Sequence, residues 1–153
     1  ENKKDIYYTI CGNGPDEDEL RKLIHEKKLE KQVQLIGFRT DMNEILQTAD
    51  VFAFPSIREG LGIAAIEALA CGVPLIVADN RGTREYLHND KNGLICDAFD
   101  RNAFVAAIDK VYSNVEYRKK LADYCRESVI QFSTEETVRT MERIYSTMDK
   151  RIS

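Results

Sequence analysis

Glu59 and Glu67 stand eight positions apart in the segment Pro55 to Pro74, Pro-Ser-Ile-Arg-Glu-Gly-Leu-Gly-Ile-Ala-Ala-Ile-Glu-Ala-Leu-Ala-Cys-Gly-Val-Pro. The first acid falls in a glycine-broken turn ahead of a helix, and the second falls inside that helix among Ile63, Ala64, Ala65, Ile66, Ala68 and Leu69. An ionised carboxylate on an apolar helix is costly to desolvate unless hydrogen-bond donors meet it. Either the protein or a ligand must supply those donors, and a ribose diol would do so. Between the acids, the amides of Gly60, Leu61, Gly62 and Ile63 fall at the helix N-terminus, where unpaired N–H groups and the macrodipole favour an anion. The glycines let a phosphate come close to the backbone. Eight residues of helical rise span at most about 12 Å, the reach from a sugar to a ribose across a diphosphate. Taken singly, each acid is more simply a solvated side chain; the whole constellation points to a sugar nucleotide.

The elements that must position these acids follow from the hydrophobic pattern. Alternating strands and helices predict a parallel α/β sheet flanked by helices. Strands are expected over Ile6–Cys11, Val33–Ile36, Val51–Phe54, Pro74–Val77 and Gly93–Ile95. The first helix is expected to open at Pro15 and run to about Lys28, its early acids complementing the dipole. A short amphipathic helix is expected over Asp41–Ala49, and the helix carrying Glu67 should close at Gly72 and Pro74. Apolar residues at three- and four-residue spacing predict helices over Arg101–Tyr112, Val115–Phe132 and Thr134 to about Lys150. Ser133 and Glu136 have capping-box spacing. The 153 residues suit a single domain with one substantial core.

Other chemistries find little support. The net charge of −4 gives no basic field for nucleic acid. No apolar run has the length of a membrane span or a signal peptide. Cys11, Cys71, Cys96 and Cys125 are widely spaced with no Cys-x-x-Cys pair, which favours reduced thiols in a cytoplasmic protein over zinc or disulfides. His25 and His88 read as surface histidines without a nucleophile beside them. Asp16-Glu17-Asp18 superficially resembles a metal-binding acid pair, but after Pro15 it is better explained by complementing a helix dipole. Gly12-Asn13-Gly14 fails as a dinucleotide fingerprint because Glu17 stands where the third glycine should be.

The run from Val51 to Pro74 closely resembles the glutamate pair of retaining glycosyltransferases of the GT-B fold, the group called family 4. The resemblance extends to Gly12-Asn13-Gly14-Pro15, Val33 to Phe38, Asp79-Asn80-Arg81-Gly82-Thr83-Arg84-Glu85 and Asn92-Gly93-Leu94-Ile95. Many members carry two glycines where this chain has Arg81-Gly82, and the form found here resembles a subgroup that assembles bacterial surface polysaccharides, capsule among them. The resemblance implies a Rossmann-like domain, the C-terminal, donor-binding half of a GT-B enzyme. It implies that an acceptor domain, and this domain's first strand with its basic loop, precede Glu1. In a doubly wound sheet that strand is central, so its absence would leave two strand edges unpaired.

By the same resemblance, Glu59 holds hydroxyls of the donor sugar and is the catalytic residue of the pair, orienting and electrostatically supporting the reacting sugar. Glu67 accepts from the ribose hydroxyls. Gly60, Leu61 and Gly62 offer amides near the sugar and the distal phosphate, Arg39 contacts the base, and Gly12 and Gly14 shape the cleft floor. For Arg39 a solvated surface arginine, and for the glycines a plain tight turn, explain the residues nearly as well. The implied reaction moves a hexose from a nucleoside diphosphate sugar, a UDP-sugar slightly favoured, to an acceptor hydroxyl with retention, needing no cofactor and no metal. The acceptor would be a sugar or lipid-linked glycan engaged through the other domain. That domain would also provide any peripheral association with the inner face of the membrane. Two other readings stay open: an isolated sugar-nucleotide-binding module without catalysis, and a GT-B epimerase or phosphorylase. The Glu59 and Glu67 pair favours a transferase over an epimerase, and the lack of a plausible cofactor lysine disfavours a phosphorylase.

Overall fold

The computed structural model describes residues 5–149. The chain divides into two compact units, with the boundary between Met42 and Asn43. In the first unit, β1 (Tyr8–Cys11) pairs in parallel with β2 (Val33–Gly37), Tyr8 opposite Val33 and Cys11 opposite Gly37, with a shift in register between Ile10 and Cys11. Between them runs α1 (Glu17–Glu26), with Glu17, Asp18 and Glu19 in its first turn. Pro15 lies in the turn before the helix instead of at its first position, because the Glu17 amide is taken by the Gly14 carbonyl. The helix ends two residues earlier than the hydrophobic pattern predicts. Lys28 adopts a left-handed conformation, φ 56°, with the Leu29 amide bonded to the Ile24 carbonyl and the Lys28 amide to the His25 carbonyl. This is a Schellman closure with lysine where glycine is usual.

α2 (Met42–Gln47) is a short helix whose one buried residue is Leu46. The second unit is built on a three-stranded parallel sheet in the order β3 (Phe52–Phe54), β4 (Leu75–Ala78), β5 (Gly93–Cys96). Leu75, Ile76, Val77 and Ala78 are all buried, as an unbroken apolar run flanked by parallel partners should be. Each of β1 and β3 has a single hydrogen-bonded neighbour, β2 and β4 respectively. A Cβ on Gly93 would lie 2.4 Å from the Leu75 carbonyl oxygen, so β4 and β5 can pair in this register only around a glycine.

α3 (Ile63–Ala70) follows β3, and Gly72, φ 84°, closes it in the expected way: the Val73 amide bonds to the Ala68 carbonyl and the Gly72 amide to that of Leu69. α4 (Arg101–Ser113) is capped by Asp100, whose carboxylate accepts from the amides of Asn102 and Ala103. α5 (Val115–Ser128) is capped by Asn114. Their inner faces bury Ala107, Val111 and Leu121 against Ile76, Leu94 and Cys96 of the sheet. Each large apolar side chain so enclosed stabilises the fold by roughly 1.5–3 kcal/mol.

The helix predicted to run from Val115 to Phe132 stops at Ser128 and resumes as a 3₁₀ turn over Ile130–Phe132. Ser128 Oγ donates to the Cys125 carbonyl at 2.6 Å and accepts from the buried Asn92 amide at 2.8 Å, and this local bonding competes with helix propagation. α6 (Thr134–Asp149) opens with the Ser133 hydroxyl accepting from the Glu136 amide at 3.3 Å. The reciprocal half of the capping box is replaced, because the Glu136 carboxylate pairs with Arg139 at 2.5 Å. Among the described residues, no helix is long and apolar enough to cross a membrane.

Candidate active site

β3 ends at Phe54 and the chain turns through residues 55–62 before α3 begins. Gly62 is the N-cap, left-handed at φ 77° and ψ 60°. A Cβ there would meet the Tyr86 hydroxyl at 2.8 Å and the Phe54 ring at 3.1 Å, so both the backbone conformation and the space require glycine. No side chain caps α3, which leaves the amides of its first turn to other partners. Only the stretch from Ile63 to Glu67 is helical, about 6 Å of rise, and Glu59 lies in the turn ahead of the helix as the sequence predicts.

The turn carrying Glu59 is clamped to the end of β4. Asn80 Nδ2 donates to the Ser56 carbonyl at 2.7 Å, while Asn80 Oδ1 accepts from the Thr83 amide at 3.0 Å. The buried Thr83 hydroxyl donates to the Ala78 carbonyl at 3.0 Å. Gly82 then passes directly against the turn: a Cβ would stand 2.8 Å from the Glu59 carbonyl oxygen and 3.0 Å from that of Gly60. Of the glycine pair common in the resembling sequences, this is the position where a side chain has no room.

Glu59 is half-buried, and its Oε1 accepts from Ser56 Oγ at 2.9 Å. It lines an open cavity of about 460 Å³ together with Ile57, Arg58, Gly60, Asp79, Asn80 and Arg81. Asp79 is engaged by Arg84 through two bonds, 2.7 and 2.9 Å, and the hydrogen bond from that guanidinium holds its carboxyl below the ordinary aspartate range. Glu59 therefore remains the cavity's carboxylate without a cationic partner among the described residues. Such a group can accept sugar hydroxyls on its remaining lone pairs.

Glu67 is exposed on the same face of α3 as Ile63, which is 66% exposed, and its carboxylate has no partner among the described residues. This corrects the desolvation argument: Ala65, Ala68 and Leu69 turn inward, Glu67 turns outward, and its charge is hydrated without any ligand. Nor does Glu67 line the cavity that holds Glu59. Leu61, 37% exposed, and Gly60 lie in the turn itself.

In the first unit, Gly12 adopts φ 117°, donates its amide to the Gly37 carbonyl at 2.7 Å, and has open space where a Cβ would be, as does Gly14. Asn13 between them accepts the Phe38 amide at 3.1 Å, so this turn is locked to the end of β2. Arg39 is bonded through two nitrogens to Asp41, whose carboxyl it holds below its usual range. Glu17 pairs with Arg21 at 2.6 Å, in keeping with a structural role for the acids of α1.

Sequence reasoning passed over Ser56, Asn80 and Tyr86 as site residues. Asn80 sits in a polar stretch immediately after the apolar β4 run, a position where loops carry function. Ser56 and Tyr86 carry no comparable signal, since only their neighbours in space give them meaning. Tyr86 is fully buried, and burial, followed by the negative charge of Glu59, pushes its phenol up to about 12.

Parallel strands flanked by helices, with a clamped acidic turn leading into an uncapped helix, make up a Rossmann-like α/β domain. The chain belongs to the group 1 glycosyl transferases, whose family model matches residues 1–128. It is 36% identical over 138 residues to EpsD of Bacillus subtilis, named a glycosyltransferase, covering 90% of this chain and 36% of EpsD. It is 30% identical over 131 residues to the lipopolysaccharide core biosynthesis glycosyltransferase LpsE of Rhizobium meliloti, covering 85% of this chain and 38% of LpsE. Among solved structures it superposes on S. aureus TarM, crystallised with fondaparinux, alpha-GlcNAc-glycerol and UDP, with a TM-score of 0.85 and 26% identity, covering 94% of this chain and 30% of TarM. These neighbours are GT-B glycosyltransferases, and the fold expected from the sequence is the fold found. The chain spans little more than a third of the length of the curated relatives it matches.

Proposed function

We propose that this chain is the donor-binding domain of a retaining glycosyltransferase, which moves a hexose from a nucleoside diphosphate sugar to an acceptor hydroxyl in bacterial surface polysaccharide synthesis. The observation that carries the reading is the placement of Glu59: partly buried, held by Ser56 on a cavity wall, without an ion-pair partner among the described residues, and followed by an uncapped helix start. In this reading Glu59 accepts the sugar hydroxyls and supports the charge that develops as the glycosidic bond to phosphate loosens. The first amides of α3 face the departing diphosphate, where the helix dipole stabilises negative charge. Glu67, hydrated and unpaired, is ready to exchange water for the two ribose hydroxyls at little desolvation cost. Exposed Ile63 one turn earlier offers an apolar surface to the ribose. The acceptor is bound by the rest of a protein about as long as the relatives.

Calorimetric titration of the intact protein with UDP and with GDP, repeated on Glu67→Ala, tests this. Losing two hydrogen bonds to a charged group predicts a roughly 10- to 100-fold weaker nucleotide. Equal affinity in wild type and variant places the ribose elsewhere. NMR of the product then reports whether anomeric configuration is kept.

A further inference from the structure

Tyr86 follows the 3₁₀ turn Thr83–Glu85, and its ring meets that of Phe132 edge-on at 6.4 Å. The residue is fully buried, and among the described residues its hydroxyl has no hydrogen-bond partner. A phenylalanine would fill the same space without leaving a polar atom unsatisfied, so the hydroxyl calls for an explanation beyond packing. Its surroundings indicate where it can donate. The hydroxyl occupies the space that a side chain at Gly62 would need, on the floor of the turn between Glu59 and α3. Glu59 lies three residues before Gly62 in the same turn, and its negative charge is the lesser cause, after burial, of the raised phenol pKa. That carboxylate has one oxygen engaged by Ser56 and the other without a bond among the described residues. Ser56 and the turn leading to Tyr86 are joined through one residue, Asn80, which bonds the Ser56 carbonyl and the Thr83 amide.

We propose that Tyr86 is a positioning residue for Glu59: when a nucleotide occupies the site, the Tyr86 hydroxyl donates to the second oxygen of the Glu59 carboxylate, Ser56 holding the first. The inference rests on the reading of Glu59 as the sugar-binding acid. Two hydroxyls on opposite oxygens fix the carboxylate plane, leaving the outer lone pairs for the sugar in one orientation. A phenol that stays protonated across the working pH range is a donor throughout, and a carboxylate is the acceptor it lacks.

The test follows the Glu59 carboxyl by 13C NMR in the intact protein that carries this chain, with UDP as the probe, in wild type and Tyr86→Phe. The Glu59 resonance is assigned by its loss in Glu59→Gln. A hydrogen bond to the ionised form lowers a carboxyl pKa, so the variant with UDP bound should titrate about half a pH unit or more above wild type. Its melting temperature should not fall, since an unpartnered hydroxyl is removed from a buried place. An unchanged Glu59 midpoint in a variant that binds UDP overturns the role of Tyr86, whether or not the melting temperature moves. A wild type that gives no heat with UDP is a separate result: it overturns the sugar-nucleotide reading, and this inference with it.

Discussion

Gly82 lies against the backbone of Glu59 so closely that a methyl group on it would stand 2.8 Å from the Glu59 carbonyl oxygen. The neighbour is backbone, held in turn by Asn80, so it cannot swing aside as a flexible side chain would. Gly82→Ala should push the acidic turn away from β4, costing roughly 1–3 kcal/mol of stability, with a loss of glycosyl transfer larger than the stability loss explains. Chemical denaturation read beside activity checks this. A variant as stable and active as wild type would show that the turn shifts freely.

Asn92 is fully buried and bonds three ways. Its Nδ2 donates to the Tyr86 carbonyl and to Ser128 Oγ, both at 2.8 Å, and its Oδ1 accepts the His88 amide at 2.8 Å. Asn92→Ala removes three hydrogen bonds and leaves a void at a fully buried position, so a loss of about 3 kcal/mol in urea denaturation is expected. Asn92→Asp should be destabilising too, since its carboxylate cannot donate to either acceptor.

Lys28 closes α1 in the left-handed region at φ 56°. A residue with a Cβ is disfavoured there by about 1 kcal/mol relative to glycine. Lys28→Gly should raise the melting temperature of the protein slightly, by relieving this strain. A fall would mean that the lysine side chain makes a contribution exceeding the strain.

The Asp79–Arg84 pair predicts a pH dependence of defined sign. The guanidinium depresses the Asp79 pKa in the folded state, so its contribution is present above the unfolded aspartate value of about 3.9. It is lost as pH falls through the folded value. The difference in melting temperature between wild type and Arg84→Met should be seen at pH 6 and should shrink as the pH falls below the unfolded aspartate value of about 3.9. Both groups are exposed, so the gap is small, and salt should narrow it at pH 6. A gap of constant size from pH 6 to pH 2.5 would assign it to packing of the arginine stem.

Much of this architecture is local and therefore legible in the chain. The apolar run Leu75–Ala78 can only be a strand buried on both faces, Asp100 and Asn114 start helices because their side chains bond the first free amides, and Gly72 ends α3 because a left-handed residue must close it. The glutamate pair with its glycines was likewise visible as a pattern of residue types and spacing. What the pattern could not contain is direction. Whether Glu67 faces the core or water depends on which side of α3 meets its neighbours, and tertiary packing turned it outward. Gly82 is indispensable only because a loop 22 residues earlier in the chain passes against it, and Tyr86 acquires meaning only beneath Gly62. Local bonding and periodicity act within a few residues and can be read in order; close approach between distant loops, and the desolvation it brings, exists only once the chain has folded.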